Sequence, residues 1–135
     1  RAQDRPQGVG CYGRGDHRRA VAGGVPVTEW VWHGHAAHFI AAARCRFHLA
    51  TTVAGGRFVV STVGDYFPRD ERETIGLTRF FETMVFPVDG VEDCGCSSIS
   101  DYQEHDFMGY QTAQEATAGH LALCRKWDAR AEEEA

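Results

Sequence analysis

The sequence predicts one soluble α+β domain, in which an antiparallel sheet of about four to five strands packs against a C-terminal helix. Short runs rich in β-branched and aromatic residues are separated by glycine, proline and aspartate. Near the C-terminus, apolar residues recur three and four positions apart. Strand-like runs followed by a helical pattern are typical of an α+β fold, with the helix on one side of the sheet.

The first strand-like segments lie on either side of residue 40. Val27 to His33 alternates aromatic and polar residues, which predicts a strand that Gly34 interrupts. A short apolar run from His38 to Ala43 follows. Cys45 to Val53 is rich in aromatic and β-branched residues, and we predict a second strand there.

Gly55-Gly56 predicts a hairpin between Cys45–Val53 and a third strand over Arg57–Val63. Both central positions of a type I′ turn need positive φ, which glycine adopts readily. Gly64-Asp65 is expected to end the third strand, and the polar segment around Pro68 to follow it.

Two further elements are expected before the C-terminal helix. Phe80 to Val88 predicts a strand, with Pro87 marking its end or a sheet edge. Ser100 or Asp101 is expected to cap a short helix that continues through Phe107.

Thr112 is expected to begin the clearest helix of the chain. Its apolar stripe repeats at helical spacing and consists of Ala113, Ala116, His120, Leu121, Cys124 and Trp127. We expect the side that carries Leu121 and Trp127 to pack on the sheet.

The chain is predicted to have three parts. Residues 1–26 are rich in arginine and glycine and are expected to form a flexible arm, which a partner or a second copy of the chain would have to order. Residues 27–128 form the domain, and residues 129–135 a charged tail.

Charge and composition narrow the function classes. A net charge of -5 argues against nucleic-acid binding, which needs a positive field. No apolar run reaches the roughly 18 residues of a membrane span, and the N-terminal residues lack the apolar core of a signal peptide. The five cysteines do not form a disulfide-scaffold pattern, so free thiols in the cytoplasm are expected.

Cysteine and histidine residues near the C-terminus suggest a zinc site. Cys94 and Cys96 form a C-x-C pair in a predicted loop, and His120 and Cys124 lie four apart on one helix face. Two ligands from a loop and two from a helix can build a closed tetrahedral site. Two alternatives stay open: core roles for His120 and Cys124, or a disulfide that involves Cys94 or Cys96.

A second cluster combines histidines with carboxylates. It consists of the candidate catalytic residues His35, His38, His48, Asp65 and Glu82. Imidazole beside a carboxylate can act as a general acid or base near neutral pH, and histidines can also hold a catalytic metal. Asp65 and Glu82 could be paired carboxylates of a glycosidase. The alternative is that these are ordinary polar residues on a wet sheet face.

Other catalytic classes lack their motifs. Ser61 and Ser97 have no nucleophile-elbow context, which argues against a serine hydrolase. Gly23-Gly24 and Gly55-Gly56 do not lead from a strand into a helix, which argues against a phosphate-binding loop.

Several strings resemble small proteins of bacteriophage and bacterial genomes to which no activity is attached. They are Cys45–Leu49, Ser61–Tyr66, Glu82–Phe86, Ala118-Gly119-His120 and Cys124-x-x-Trp127. The resemblance covers residues 30–128 and implies an origin in a phage or mobile element, but no mechanism. Where that group is expected to carry a longer insertion and a Gly-x-Gly-Arg-Lys run, this chain has Ile75–Arg79.

Two functions are compatible with these patterns. The first is a small hydrolase of glycosides or other small molecules, with the histidine and carboxylate cluster at its centre and Tyr66 or the tryptophans lining the pocket. The second is a zinc-stabilised module, without catalysis, that binds a host protein through an exposed patch.

Overall fold

The computed structural model describes residues 21–22, 25–26, 29–34, 38, 44–93, 95 and 97–133. These residues form nine strands and two helices, which we number in chain order. The strands are β1 (Val21–Ala22), β2 (Val25–Pro26), β3 (Val31–His33), β4 (Cys45–Val53), β5 (Phe58–Tyr66), β6 (Phe81–Pro87), β7 (Gly90–Val91), β8 (Ser97–Ser98) and β9 (Asp106–Tyr110). The helices are α1 (Ala113–Asp128) and α2 (Arg130–Glu133).

Five of these strands form one antiparallel sheet in the order β3-β4-β5-β6-β9. Helix α1 packs against it, so the predicted α+β architecture is confirmed. The remaining strands form two short ladders, β1 with β2 and β7 with β8. Neither described helix is long and apolar enough to cross a membrane.

The predicted hairpin joins β4 to β5, but its turn is longer than two residues. Val53 pairs with Phe58, so residues 54–57 form the connection. Positive φ begins at Ala54, with a φ of 58°, and continues through Gly55 and Gly56. The amide of Ala54 donates to the Asp128 carboxylate over 2.9 Å. The end of α1 therefore holds the turn in place.

Helix α1 begins where the sequence predicts. The hydroxyl of Thr112 accepts a hydrogen bond from the Glu115 amide, and the Glu115 carboxylate accepts one from the amide of Gln111. The first bond satisfies an amide that the first helical turn leaves without a partner, and the second ties the residue before the cap to the helix. Leu123, Cys124 and other buried residues of α1 then pack against the sheet.

Two local expectations are wrong. Strand β5 does not end at Gly64-Asp65 but continues to Tyr66. A side chain at Gly64 would overlap Phe81 on the neighbouring strand, with a Cβ contact of 2.1 Å, so this glycine fits close strand packing rather than ending the strand. Asp65 follows with a φ of 56° and still lies within β5.

The short helix expected to run from Ser100 or Asp101 to Phe107 is also not formed. Residues 106–110 instead pair with β6 as the edge strand β9. The Asp101 carboxylate accepts the Gln103 amide, a local turn bond, rather than capping a helix. Strand pairing has overridden a local capping signal.

The central sheet has two faces, because successive side chains of a strand point to opposite sides. The helix face lies under α1 and includes Thr51, Thr62 and Thr83. The opposite face includes Ser61 and Glu82 from the alternate positions of β5 and β6.

Some predictions lie partly outside the described residues. The start of the predicted first strand, residues 27–28, is not described, and the observed strand is β3. Of the predicted arm over residues 1–26, only the backbone of β1 and β2 is described.

Candidate functional site

The opposite face of the sheet carries a histidine held between a hydroxyl and a carboxylate. Nδ1 of His38 lies 2.7 Å from the hydroxyl oxygen of Ser61. On the other side of the ring, Nε2 lies 3.3 Å from Oε2 of Glu82, within ion-pair distance although outside hydrogen-bond geometry. Serine, histidine and glutamate thus form one continuous array.

The register of the sheet creates this arrangement. Ser61 on β5 pairs with Met84 on β6, and Glu82 pairs with Val63, so Ser61 and Glu82 lie diagonally on adjacent strands of one face. Diagonal neighbours on a sheet are roughly 7–8 Å apart, a gap that one imidazole can bridge. His38 precedes β4 in the chain and fills this gap.

Glu82 is also bound by an arginine. Nε of Arg79 donates to Oε1 of Glu82 over 2.9 Å, so the carboxylate contacts a cation on one side and imidazole on the other. Burial by itself would raise the pKa of Glu82. The contacts with His38 and Arg79 outweigh burial and hold the pKa below its usual value. Glu82 is therefore ionised at neutral pH.

The array is suited to proton transfer. A proton on Nε2 of His38 faces the Glu82 carboxylate, which stabilises that tautomer and leaves Nδ1 to accept the proton of Ser61. If Ser61 gives up its proton, Glu82 stabilises the resulting imidazolium. These three residues can therefore activate a hydroxyl as a nucleophile.

All three side chains lie away from water. Ser61 is 0% exposed, His38 is 4% exposed and Glu82 is 3% exposed. The ring of Phe86 contacts His38 edge-on, with centroids 5.8 Å apart, and Tyr102 contacts Phe86 in turn. Charge interactions are stronger in such a setting than in water.

The other predicted catalytic residues have separate partners. His48 directs Nε2 to the carbonyl of Cys45 at 2.5 Å. Asp65 pairs with Nε of Arg72 at 2.7 Å, near the surface. His35 lies outside the described residues. Of the five candidates, the structure brings His38 and Glu82 into contact.

Half of the predicted zinc site can be described. Cys94 and Cys96 lie outside the described residues, and the described part of the chain contains no group of three or more metal-binding side chains. His120 and Cys124 are both fully buried between α1 and the sheet. The zinc site stays a prediction.

His120 lies in a chain of hydroxyl groups on the helix face. Its Nε2 lies 2.9 Å from the hydroxyl of Thr51, and its Nδ1 lies 2.6 Å from that of Thr62. Thr62 contacts Thr83 over 2.6 Å, and Tyr110 donates to Thr83 over 3.1 Å. We call these five residues the His120 network. Both ring nitrogens have partners, so a zinc ion would have to displace one hydroxyl.

Burial governs the protonation of this region. It lowers the pKa of His120 to about 4, so the imidazole is neutral at physiological pH. Burial raises the pKa of Cys124 to about 12. It also raises that of Cys45 to about 11, with the charges of Glu82 and Asp65 adding to the effect. Both thiols are protonated at neutral pH, which argues against a nucleophilic role for either cysteine.

Sequence reasoning missed Ser61 and Arg79. Ser61 lacks the nucleophile-elbow motif that would predict its role from sequence, yet it contacts His38 directly. The available signal is the polar pair Ser61-Thr62 between Val60 and Val63. Arg79 lies three residues before Glu82 and outside the strand that carries it, so the spacing does not predict their ion pair.

Comparisons of this chain with protein-family models, with curated proteins and with solved structures found no match.

Proposed function

We propose that this protein is a small hydrolase in which His38, oriented by Glu82, activates the hydroxyl of Ser61. The observation that carries the proposal is the 2.7 Å contact between Nδ1 of His38 and the Ser61 hydroxyl, together with the carboxylate on the far side of the ring. Hydroxyl, imidazole and carboxylate in series are the parts of a nucleophilic triad, whatever their order in the chain.

Each residue has a distinct role in this proposal. Ser61 attacks the carbonyl carbon of an ester or amide and forms an acyl-enzyme, while His38 takes its proton. His38 then gives that proton to the leaving group, and water hydrolyses the acyl-enzyme with His38 again acting as base. Glu82 orients the ring and balances its positive charge. Arg79 is a positioning residue that holds Glu82.

The burial of Ser61 adds a step. Because Ser61 is 0% exposed, substrate reaches it only after the site opens. Opening and product release commonly limit turnover in enzymes with closed sites. We therefore expect slow turnover even where the chemical step is fast.

The test combines labelling with kinetics. The purified protein is incubated with a fluorophosphonate, which reacts with activated serines, and the intact mass is measured over time. One adduct per chain on Ser61 is the expected result, with hydrolysis of p-nitrophenyl esters at a rate that falls roughly 10³-fold or more in Ser61→Ala.

Ser97→Ala is the matched control. Ser97 is a half-buried serine whose hydroxyl contacts Thr52 over 2.8 Å, and no described contact joins it to the three-residue array. Labelling and ester hydrolysis should persist in this variant. Unchanged hydrolysis in a folded Ser61→Ala protein would remove Ser61 from the mechanism.

A further inference from the structure

Arg79 is held by two contacts. Its Nε bonds to Glu82, and its guanidinium carbon lies 4.6 Å from the centre of the Phe107 ring. Guanidinium stacked on an aromatic ring and bonded to a carboxylate loses little further freedom when it binds a ligand. The arginine is thus positioned before any ligand arrives.

Two glycines make room for this side chain. A Cβ on Gly76 would lie 2.4 Å from the guanidinium carbon of Arg79, and a Cβ on Gly109 would lie 2.6 Å from its Cδ. Any larger residue at Gly76 would push the guanidinium out of its position. The close approach depends on both glycines.

The outer edge of the guanidinium has no protein partner among the described residues. The hydrogen bond of Arg79 to Glu82 uses Nε, and neither terminal nitrogen bonds to a described residue. The side chain is 28% exposed. Two terminal nitrogens in one plane match the two oxygens of a carboxylate.

The turn beside Arg79 is apolar and exposed. The amide of Ile75 donates to the carbonyl of Arg79 over 2.8 Å, closing a turn that carries Leu77. Leu77 is 91% exposed, and Phe107 is 37% exposed. An anionic ligand at Arg79 would therefore have apolar side chains nearby.

We propose that Arg79 is a binding site for the carboxylate of a small organic acid with an apolar chain. The terminal nitrogens of Arg79 bind the carboxylate, and Phe107 and Leu77 contact the apolar part. Nε stays on Glu82, so ligand and catalytic carboxylate share one cation. The site does not depend on the proposed hydrolase activity, and its test does not measure turnover.

The test is a titration followed by ¹⁵N–¹H NMR of the full chain. Sodium hexanoate is added at constant ionic strength, and the amide signals of Gly76 and Gly109 and the Nε–H signal of Arg79 are followed. We expect saturable shifts with a Kd of roughly 1–10 mM, as suits one bidentate contact with a small apolar contribution. Acetate should bind at least threefold more weakly, because it lacks the apolar chain.

Two variants test the role of Arg79. Arg79→Gln should abolish the saturable shifts. Gly76→Ala keeps the arginine but displaces its guanidinium, and it should weaken hexanoate binding at least tenfold. It serves as the second test if Arg79→Gln fails to fold. Arg69→Gln is the control, because Arg69 also bonds to a glutamate, Glu73, but is 78% exposed; its titration should match the wild type.

Two results would overturn the proposal. One is hexanoate binding that is unchanged in folded Arg79→Gln or Gly76→Ala. The other is inorganic phosphate binding more tightly than hexanoate, which would mean that charge alone decides binding. If the wild-type protein binds hexanoate but hydrolyses no ester, the result supports the carboxylate site and contradicts only the proposed hydrolase.

Discussion

The two faces of the sheet each bury a histidine against a hydroxyl group, but the other groups around the two rings differ. On the helix face, His120 contacts two threonine hydroxyls, and no carboxylate contacts its ring among the described residues. On the opposite face, His38 contacts one serine hydroxyl and lies beside a carboxylate that an arginine also binds. The same side chain thus lies in a neutral setting and in a charged one.

In the proposed function, this difference gives His120 a structural role and His38 a chemical one. Neutral hydroxyls satisfy both nitrogens of His120, which stabilises the packed interface but gives no reason for a proton to move. In the proposed mechanism, the carboxylate beside His38 stabilises the positive ring that forms when Ser61 attacks a carbonyl carbon and His38 takes its proton. Burial is common to both sites, and charge distinguishes them.

The sharpest test of this comparison makes the same substitution, histidine to glutamine, at the buried histidine of each face. His38→Gln should lower kcat/KM for ester hydrolysis by roughly 10²–10⁴-fold, the usual contribution of a general base. His120→Gln should leave kcat/KM close to that of the wild type, since His120 lies on the other face of the sheet and has no part in the proposed mechanism. The measurement is steady-state kinetics on samples shown by circular dichroism to be folded.

The second prediction concerns the loss of stability at low pH, which we expect to come in part from His120 on the helix face. The pKa of His120 is about 4 in the folded protein and 6.5 as the reference for the unfolded chain. The unfolded state therefore binds the extra proton first as the pH falls. Stability should be fully present above pH 6.5 and should fall towards pH 4, by an upper limit of roughly 3 kcal/mol.

Urea unfolding between pH 5 and pH 7 measures this effect. The pKa values of Glu82 and Asp106 are both lowered, so their contributions to the free energy of unfolding are lost mostly below this pH range. In His120→Gln, the free energy of unfolding should change less with pH than in the wild type. Equal pH dependence in the two proteins would show that His120 is not the titrating group.

The third prediction compares two glycines that each approach a side chain closely. A Cβ on Gly119 in α1 would lie 2.2 Å from the ring of Tyr110, which is buried on the helix face. A Cβ on Gly76 would meet only the flexible end of Arg79. Gly119→Ala should therefore destabilise the fold by about 1–3 kcal/mol, and Gly76→Ala should destabilise it less, because the Arg79 side chain is 28% exposed and can move towards solvent.

Chemical denaturation of the two variants decides this prediction. A loss in Gly119→Ala as small as that in Gly76→Ala would mean that the helix face repacks easily around Tyr110. The view of the helix face as a rigid interface would then fail.

The main strands and the long helix could be predicted from sequence because each carries a local signal. The run Cys45–Val53, the glycines of the hairpin and the Thr112 cap are all readable without knowledge of their neighbours. Strand β9 has no such signal, since it contains Asp106 and Gly109. Pairing with β6 forms it, and bonds from Lys126 and Trp127 to the Asp106 carboxylate tie it to α1.

The candidate site was predictable only in part. Glu82 stood out as a charge in an apolar strand, and His38 as one of several histidines. The contacts of His38 with Ser61 and Glu82 depend on strand register and on the position of His38 against the sheet. The partners of His120 were equally hidden, since Thr51 and Thr62 lie 69 and 58 residues from it in the chain.

The bonds of Asp106 have a consequence for how copies of this chain meet. Strand β9 lies at one edge of the central sheet, where an exposed backbone can pair with a strand of another molecule and start aggregation. Oδ1 of Asp106 accepts the amide of Phe107 over 2.9 Å, while its other oxygen accepts from Lys126 and Trp127. Phe107 is one of the exposed apolar residues of this edge, and its amide already has a hydrogen-bond partner within the chain. The Asp106 carboxylate thus ties the edge strand to the helix and makes it harder for a strand of another molecule to pair with β9.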